Sequence, residues 1–263
     1  MAKAAPPAPD ETVPVSRLDR MPYLGVLTYP SPDLAEARSR IEQLTRLGIR
    51  EVTFGGRTRI GRLGLVGIGT VGVVVRGTTA AGEVCAVKIR RTDANRGSMA
   101  EEFRLTRLAN RVMIGAPAYG ATKDAMSMRY LKGVELEDYV KAASGRGTAA
   151  RVRRLAHLLL NQCRKLDLIG LDHGELSNLR KHVIVEGETP WMIDFESASQ
   201  RRAPRNVTTA AQYLFVGSSA SSRIRRVLSI GGTGEIIVAL RRYKGDASDE
   251  SYVRFLGTFG VKT

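Results

Sequence analysis

Gly67-Ile68-Gly69-Thr70-Val71-Gly72-Val73-Val74-Val75, followed nine residues later by Val84-Cys85-Ala86-Val87-Lys88-Ile89, decides how this 263-residue chain is read. The first six residues form a GxGxxG. With 27 glycines in the chain, chance alone supplies roughly 0.3 such matches, so the context has to assign it. A dinucleotide-binding loop must open a helix. Here three β-branched valines follow at once, and they are poor helix formers. A turn across residues 77–82 comes next. The loop is therefore expected to join two antiparallel strands, as a flap whose backbone amides approach phosphates without side chains in the way.

Strand alternation puts Ala86 and Lys88 on one face, the small residue leaving room for a base. The strand resembles the one that carries the phosphate-pairing lysine of protein kinases. Such a lysine needs an acidic partner on the following helix, which the pattern predicts over residues 98–110. Glu101 and Glu102 both qualify by position. Adjacent residues lie about 100° apart on a helix, so only one can face Lys88. Glu102 is preferred because it precedes Leu105 and Leu108 on one face.

Working outward, a helix begins near Ser31, with Ser31 or Asp33 as its cap and Leu34, Ile41, Leu44 and Leu47 at helical spacing. Gly48 can end it, and a short strand follows over residues 51–54. Before it, Pro6, Pro7, Pro9 and Pro14 predict a flexible tail over residues 1–20. Strands are expected within residues 63–89 and over 125–131, and a helix over 135–143. Residues 151–168 carry the stripe Leu155, Leu158, Leu159 and Cys163 of a long amphipathic helix. Two short strands, 183–185 and 191–193, flank a turn. A strand-rich first half and a helix-rich second half predict an α+β chain. The expected divisions are the tail 1–20, a helix–strand extension 21–56, a β-rich N-lobe 57–131 and a reduced helical C-lobe 132–263.

Beyond the long helix stands Leu171-Asp172-His173-Gly174-Glu175-Leu176-Ser177-Asn178, and later Trp191-Met192-Ile193-Asp194-Phe195-Glu196. His173 to Ser177 resembles the His-Gly-Asp-Leu-Ser catalytic loop of the RIO kinases and the similar loop of the small kinase of the KEOPS assembly. Ile193-Asp194-Phe195 resembles their metal-binding segment. From about Pro30 onward the chain resembles an archaeal group of serine/threonine kinases related to RIO. The shared features include the leading helix and strand, Lys181-His182-Val183-Ile184, and Asn206-Val207-Thr208.

The resemblance implies an atypical, two-lobed kinase fold that binds ATP and Mg²⁺. Gly67, Gly69, Gly72, Val74, Ala86, Lys88 and Glu102 would serve the nucleotide, with Met128 and Tyr130 in a hinge against the adenine. Asp194 would hold Mg²⁺, as a hard oxygen ligand should. The catalytic carboxylate falls on Glu175, one methylene longer than the family's aspartate, with Asp172 as a competing base. The metal-binding asparagine expected five residues after the acid is replaced by Arg180. Asn178 lies earlier and is the provisional second ligand; His182 aligns only if two residues are inserted. The glycine after Asp-Phe is Glu196, a residue able to stiffen that turn or add a ligand.

Composition bounds the rest. Forty-one basic residues oppose 26 acidic ones, a formal +15. Residues 201–244 hold nine of the basic residues against Glu235 alone. Such a field attracts polyanions, RNA or a ribosomal particle among them. A basic proteome explains it equally, and no aromatic platform accompanies the cluster. No apolar run is long enough for a membrane span, no signal peptide is visible, and a cytoplasmic protein is expected. Cys85 and Cys163 read as small buried hydrophobes, and three histidines give no zinc spacing. The expected activity is phosphoryl transfer from ATP to a serine or threonine of an unnamed protein substrate, autophosphorylation included. The alternative is a RIO-like ATPase, or nucleotide-gated switch, on RNA or a ribonucleoprotein particle.

Overall fold

The computed structural model describes residues 8–261. The chain folds as mixed α and β into two compact units. One holds the described residues up to Arg107 together with Ala116–Leu131; the other holds Leu108–Gly115 together with the described residues from Lys132 onward.

The first unit is built on antiparallel strands. In chain order they are β1 (Ala8–Pro14), β2 (Ile49–Gly56), β3 (Thr58–Ile60), β4 (Leu63–Leu65), β5 (Gly67–Ile68), β6 (Gly72–Thr79), β7 (Val84–Arg90), β8 (Ala118–Ala121) and β9 (Ala125–Arg129). The main sheet runs β1-β2-β6-β7-β9-β8, with β5 folded back onto β6 and β3 paired with β4. Two helices, α1 (Tyr23–Leu27) and α2 (Leu34–Arg46), precede β2. Asp33 caps α2 by accepting the Glu36 amide at 3.0 Å, and Gly48 follows with φ +76°. Leu34 is exposed because it is the first helical residue; Ala37, Arg40 and Leu44 are buried instead.

Alternation along the strands sorts the sheet into two faces. Val73, Val75, Val87 and Ile89 pack into one core with Leu24, Leu27, Ala37 and Leu44 of the leading helices. The other face carries Val74, Ala86 and Lys88, since Val74 lies opposite Lys88 and Ala86 opposite Met128 in register. Helix α3 (Ala100–Arg111) sends Glu102 to this second face.

The expected tail is corrected from residue 8 onward. Ala8–Pro14 is a strand paired with β2, and Val13, Val15 and Leu18 are buried in the core. Proline is tolerated because β1 is the outermost strand, where a missing amide need not interrupt a ladder. The remainder of the expected tail lies outside the described residues.

The second unit contains β10 (Val134–Glu135), α4 (Leu136–Ala142), α5 (Thr148–Leu168), α6 (Leu179–His182), β11 (Val183–Glu186) and β12 (Thr189–Met192). It continues through α7 (Asn206–Gln212), α8 (Ser221–Leu228), α9 (Thr233–Gly245) and α10 (Asp249–Thr258). Strands β10, β11 and β12 form a small antiparallel sheet. Helix α5 buries Leu155, Leu159, Leu160 and Cys163, while Leu158 is half-buried. Both cysteines are free and buried; burial pushes the Cys85 thiol up to about 11 and raises Cys163 well above the ordinary thiol value. No helix among the described residues is long and apolar enough to cross a membrane.

Candidate functional site

In the first unit the glycine motif is a tight hairpin. Gly67 pairs with Val74 and Ile68 with Val73, and the Gly69 amide donates to the Gly72 carbonyl at 2.8 Å. Arg91, just beyond β7, braces the tip: its amide donates to Val71 O at 2.8 Å and its Nη1 to Gly69 O at 3.2 Å.

The three glycines differ in what a side chain would meet. A Cβ on Gly72 would stand 2.9 Å from Lys88 Cγ and 3.0 Å from Ile89 O, so packing against the lysine excludes a side chain there. A Cβ on Gly67 would meet nothing within 4 Å, and one on Gly69 only the Gly72 carbonyl at 3.6 Å. Neither has a positive φ. Nothing in the protein's own packing demands glycine at 67 and 69; close approach of a ligand would.

Lys88 is buried, and its Nζ donates to Glu102 Oε1 at 2.7 Å, with both side chains under a tenth exposed. Of the two candidate partners, Glu102 faces inward, while Glu101 is exposed and paired with Arg104 at 2.8 Å. Taking both charges out of water is costly, and such a pair seldom adds net stability over an apolar one. Its presence therefore invites a functional explanation. Ala86 is buried on the same face, Val74 and Met128 are half-buried, and half-buried Tyr130 lies under the Arg76 guanidinium at 6.0 Å.

In the second unit the segment after α5 is organised by buried polar groups. The Asn206 carboxamide accepts the His173 amide at 2.9 Å and donates to Asp167 Oδ1 at 2.7 Å and Leu171 O at 2.8 Å. Burial, above all, raises the Asp167 pKa, against the Val207 and Asn206 hydrogen bonds. His173 is fully buried, and burial together with neighbouring His182 pushes its pKa down to about 4. It is a neutral imidazole whose Nε2–H donates to Ile193 O at 3.1 Å while the ring packs on Phe195 at 4.8 Å. His173 thus fastens the Glu175 loop to the Asp194 strand end. Gly174 has φ +89°, and a Cβ there would come within 2.6 Å of Ser197 O, so only glycine fits.

Asp194 follows β12 in the left-handed region at φ +67°, a conformation that costs energy and that aspartate tolerates better than most residues. It stands beside His182, whose Nδ1 is 4.0 Å from Asp194 Oδ2, while His182 Nε2 is 3.5 Å from Glu175 Oε2. One donor atom from each of Glu175, His182 and Asp194 lies within 4.8 Å of the other two, a set able to hold a metal ion. His182 is the member that residue spacing placed least well. It is the last residue of the one-turn helix α6. Asn178, the provisional second ligand, precedes α6 without capping it, and the trio forms without it.

Asp172, the competing base, is engaged elsewhere. Arg202 Nε donates to its Oδ2 at 2.8 Å, and its backbone exchanges two hydrogen bonds with Ser199. Glu196 is buried in a 3₁₀ turn, Phe195–Ser197. The basic cluster is also partly structural: Arg223 donates to Val140 O and Ala143 O, and Arg225 to Phe215 O. Arg201, Arg205, Arg226, Arg241, Arg242 and Lys244 remain exposed.

No known family's sequence profile matches the chain. It is similar to an uncharacterized protein of Methanocaldococcus jannaschii, MJ1211, with 29% identity over 104 residues, covering 40% of this chain and 85% of that protein.

Proposed function

We propose that the chain is an ATP-dependent atypical kinase of the RIO-related kind, with the two-lobed organisation of that class, transferring the γ-phosphoryl group to a serine or threonine hydroxyl. The observation that carries this reading is the buried Lys88–Glu102 bond at 2.7 Å, packed against Gly72 of a glycine hairpin. A lysine held in this way presents a fixed positive charge to phosphate oxygens, and glutamate keeps it in place.

With no side chains at Gly67 and Gly69, phosphates can approach the hairpin backbone closely, and Val74, Ala86, Met128 and Tyr130 supply apolar surface for the base. A divalent cation at Asp194, when bound, would neutralise and orient phosphate oxygens. The residues fit such an ion: two carboxylates and an imidazole converge there. Glu175 has one oxygen turned to His182, leaving the other to orient the attacking hydroxyl and take its proton. General-base help of this kind is worth about 10²–10⁴-fold. Asp172 is less suited, being tied to Arg202.

The test is transfer of ³²P from γ-labelled ATP to the protein itself and to fractions of a native lysate. Labelled phosphoprotein is expected, and Asp194→Ala should abolish it. Retention of full transfer in that variant would remove Asp194 from the chemistry.

A second reading, an ATPase or nucleotide-gated switch on RNA or a ribonucleoprotein, is favoured by the contact between Glu175 and His182, which draws the base toward the metal-binding group. The exposed basic residues of the second unit suit such a partner. Phosphate released only when ribosomal particles are added, without phosphoprotein, would select it. A cytoplasmic location belongs to both readings.

A further inference from the structure

The kinase reading assigns Mg²⁺ by resemblance, yet the second metal-facing group of this chain is an imidazole and not an amide. His182 is nine-tenths buried, with 8% of its surface exposed, and its Nδ1 has no hydrogen-bond partner. That atom faces Asp194 Oδ2 across 4.0 Å, a gap that two metal–ligand bonds of about 2.0–2.2 Å can span. The opposite nitrogen, Nε2, faces Glu175 Oε2 at 3.5 Å. A metal-bound histidine commonly turns its other N–H toward a carboxylate, which fixes the ring and raises its basicity. Glu175 Oε2 is likewise buried without a hydrogen-bond partner. An unsatisfied buried nitrogen carries a desolvation penalty, and coordination would remove it.

We propose that His182 Nδ1 and Asp194 are direct ligands of a first-row transition ion of the Mn²⁺ type, that Glu175 orients the imidazole, and that the site prefers such an ion to Mg²⁺. The proposal rests on the assignment of Asp194 as the metal-binding residue. Mg²⁺ takes oxygen ligands and sheds water reluctantly, whereas imidazole donors favour transition ions. Carboxylate and phosphate oxygens in the remaining positions suit Mn²⁺, the hardest of them. Asparagine at 182 would supply a carbonyl oxygen and erase the preference.

The experiment uses the full chain and Mn²⁺ as the probe, alone and with inorganic tripolyphosphate, which contains no nitrogen. Loss of the free-ion electron paramagnetic resonance signal counts bound Mn²⁺, Mg²⁺ is titrated as competitor, and electron spin echo modulation reports nitrogen on the bound ion. One bound Mn²⁺ with nitrogen coupling, displaced by Mg²⁺ only in large excess, is the expected result. His182→Asn should remove the coupling and weaken Mn²⁺ binding relative to Mg²⁺. Its melting curve is recorded alongside, and the wild-type coupling needs no variant. No bound Mn²⁺ under either condition, bound Mn²⁺ without nitrogen coupling, or equal affinity for the two ions would overturn the proposal. ATP calorimetry on the same protein separates the two ideas. Nitrogen-coupled Mn²⁺ without ATP binding supports the ligand assignment and removes the nucleotide reading. ATP binding without nitrogen coupling does the reverse.

Discussion

Replacing Asp124 with alanine should unfasten the leading helix from the strand that carries Lys88. Asp124 Oδ1 accepts from Arg90 Nε at 2.7 Å and Nη2 at 2.6 Å, and Oδ2 accepts from Gln43 Nε2 at 2.8 Å. Its amide donates to Gln43 Oε1 at 2.7 Å, and Arg40 Nη2 lies 3.9 Å from Oδ1. The Asp124 and Arg40 side chains are only 2% and 1% exposed, so water cannot take over these contacts. Removing one member of a buried charged network strands the others, at about 3–5 kcal/mol. At about 2–4 °C per kcal/mol for a chain of this size, the melting midpoint should fall by about 6–20 °C.

Calorimetry or circular dichroism reads the shift. Asp93→Ala is the control, because its pair with Arg91 is open to solvent and screened; it should move the midpoint little. The pH dependence has a definite sign. Burial opposes ionisation of Asp124, but the Gln43 and Arg90 hydrogen bonds and the Arg90 and Arg40 charges outweigh it and hold its pKa below the usual carboxylate value. A depressed folded pKa means that the contribution is present above the unfolded value, about 3.9, and is lost as the pH falls through the folded one. The gap between wild type and Asp124→Ala should therefore close in acid below about pH 4. An Asp124→Ala midpoint equal to wild type at neutral pH, or a gap that persists undiminished in acid, would refute this reasoning.

Three further predictions concern the site. Gly72→Ala should destabilise the fold by about 1–3 kcal/mol through overpacking against Lys88, whereas Gly67→Ala should melt like wild type and yet bind ATP more weakly; equal melting of the two would contradict the packing account. Asp172→Ala should lower ³²P transfer far less than Glu175→Ala, because Asp172 is held by Arg202; the reverse order would make Asp172 the base. Asn206→Ala strands buried groups on His173, Asp167 and Leu171 at about 1–3 kcal/mol each, and urea unfolding should show the loss; an unchanged transition would mean that the loop is held by other contacts.

Most elements of the fold were legible where local chemistry and periodicity agree. Asp33 and Gly48 bracket α2, three valines after a glycine loop specify a hairpin, and a Leu/Cys stripe marks α5. The four prolines between residues 6 and 14 mask the strand β1, and only the sheet order reveals an outer strand where proline is harmless. Lys88 and Glu102 were legible because alternation and the 100° helical step each leave one choice. His182 is not singled out by residue spacing, because its approach to Asp194 and Glu175 depends on how the chain folds around α6. Arg223 and Arg225 looked like solvent-facing charge because their carbonyl partners, apart from Phe215, lie about 80 residues away in sequence and leave no local signature. Asn206 carried a signal only through the run it shares with the resembling group.

Whether Lys88, the glycine hairpin and Asp194 serve one nucleotide is read by isothermal titration calorimetry with ATP and a divalent cation. Wild type is expected to bind one ATP per chain in a cation-dependent manner. Lys88→Met should weaken that binding, and Asp194→Ala should remove its dependence on the cation. A folded wild-type chain that takes up no ATP with either Mg²⁺ or Mn²⁺ would rule out a nucleotide site in this protein.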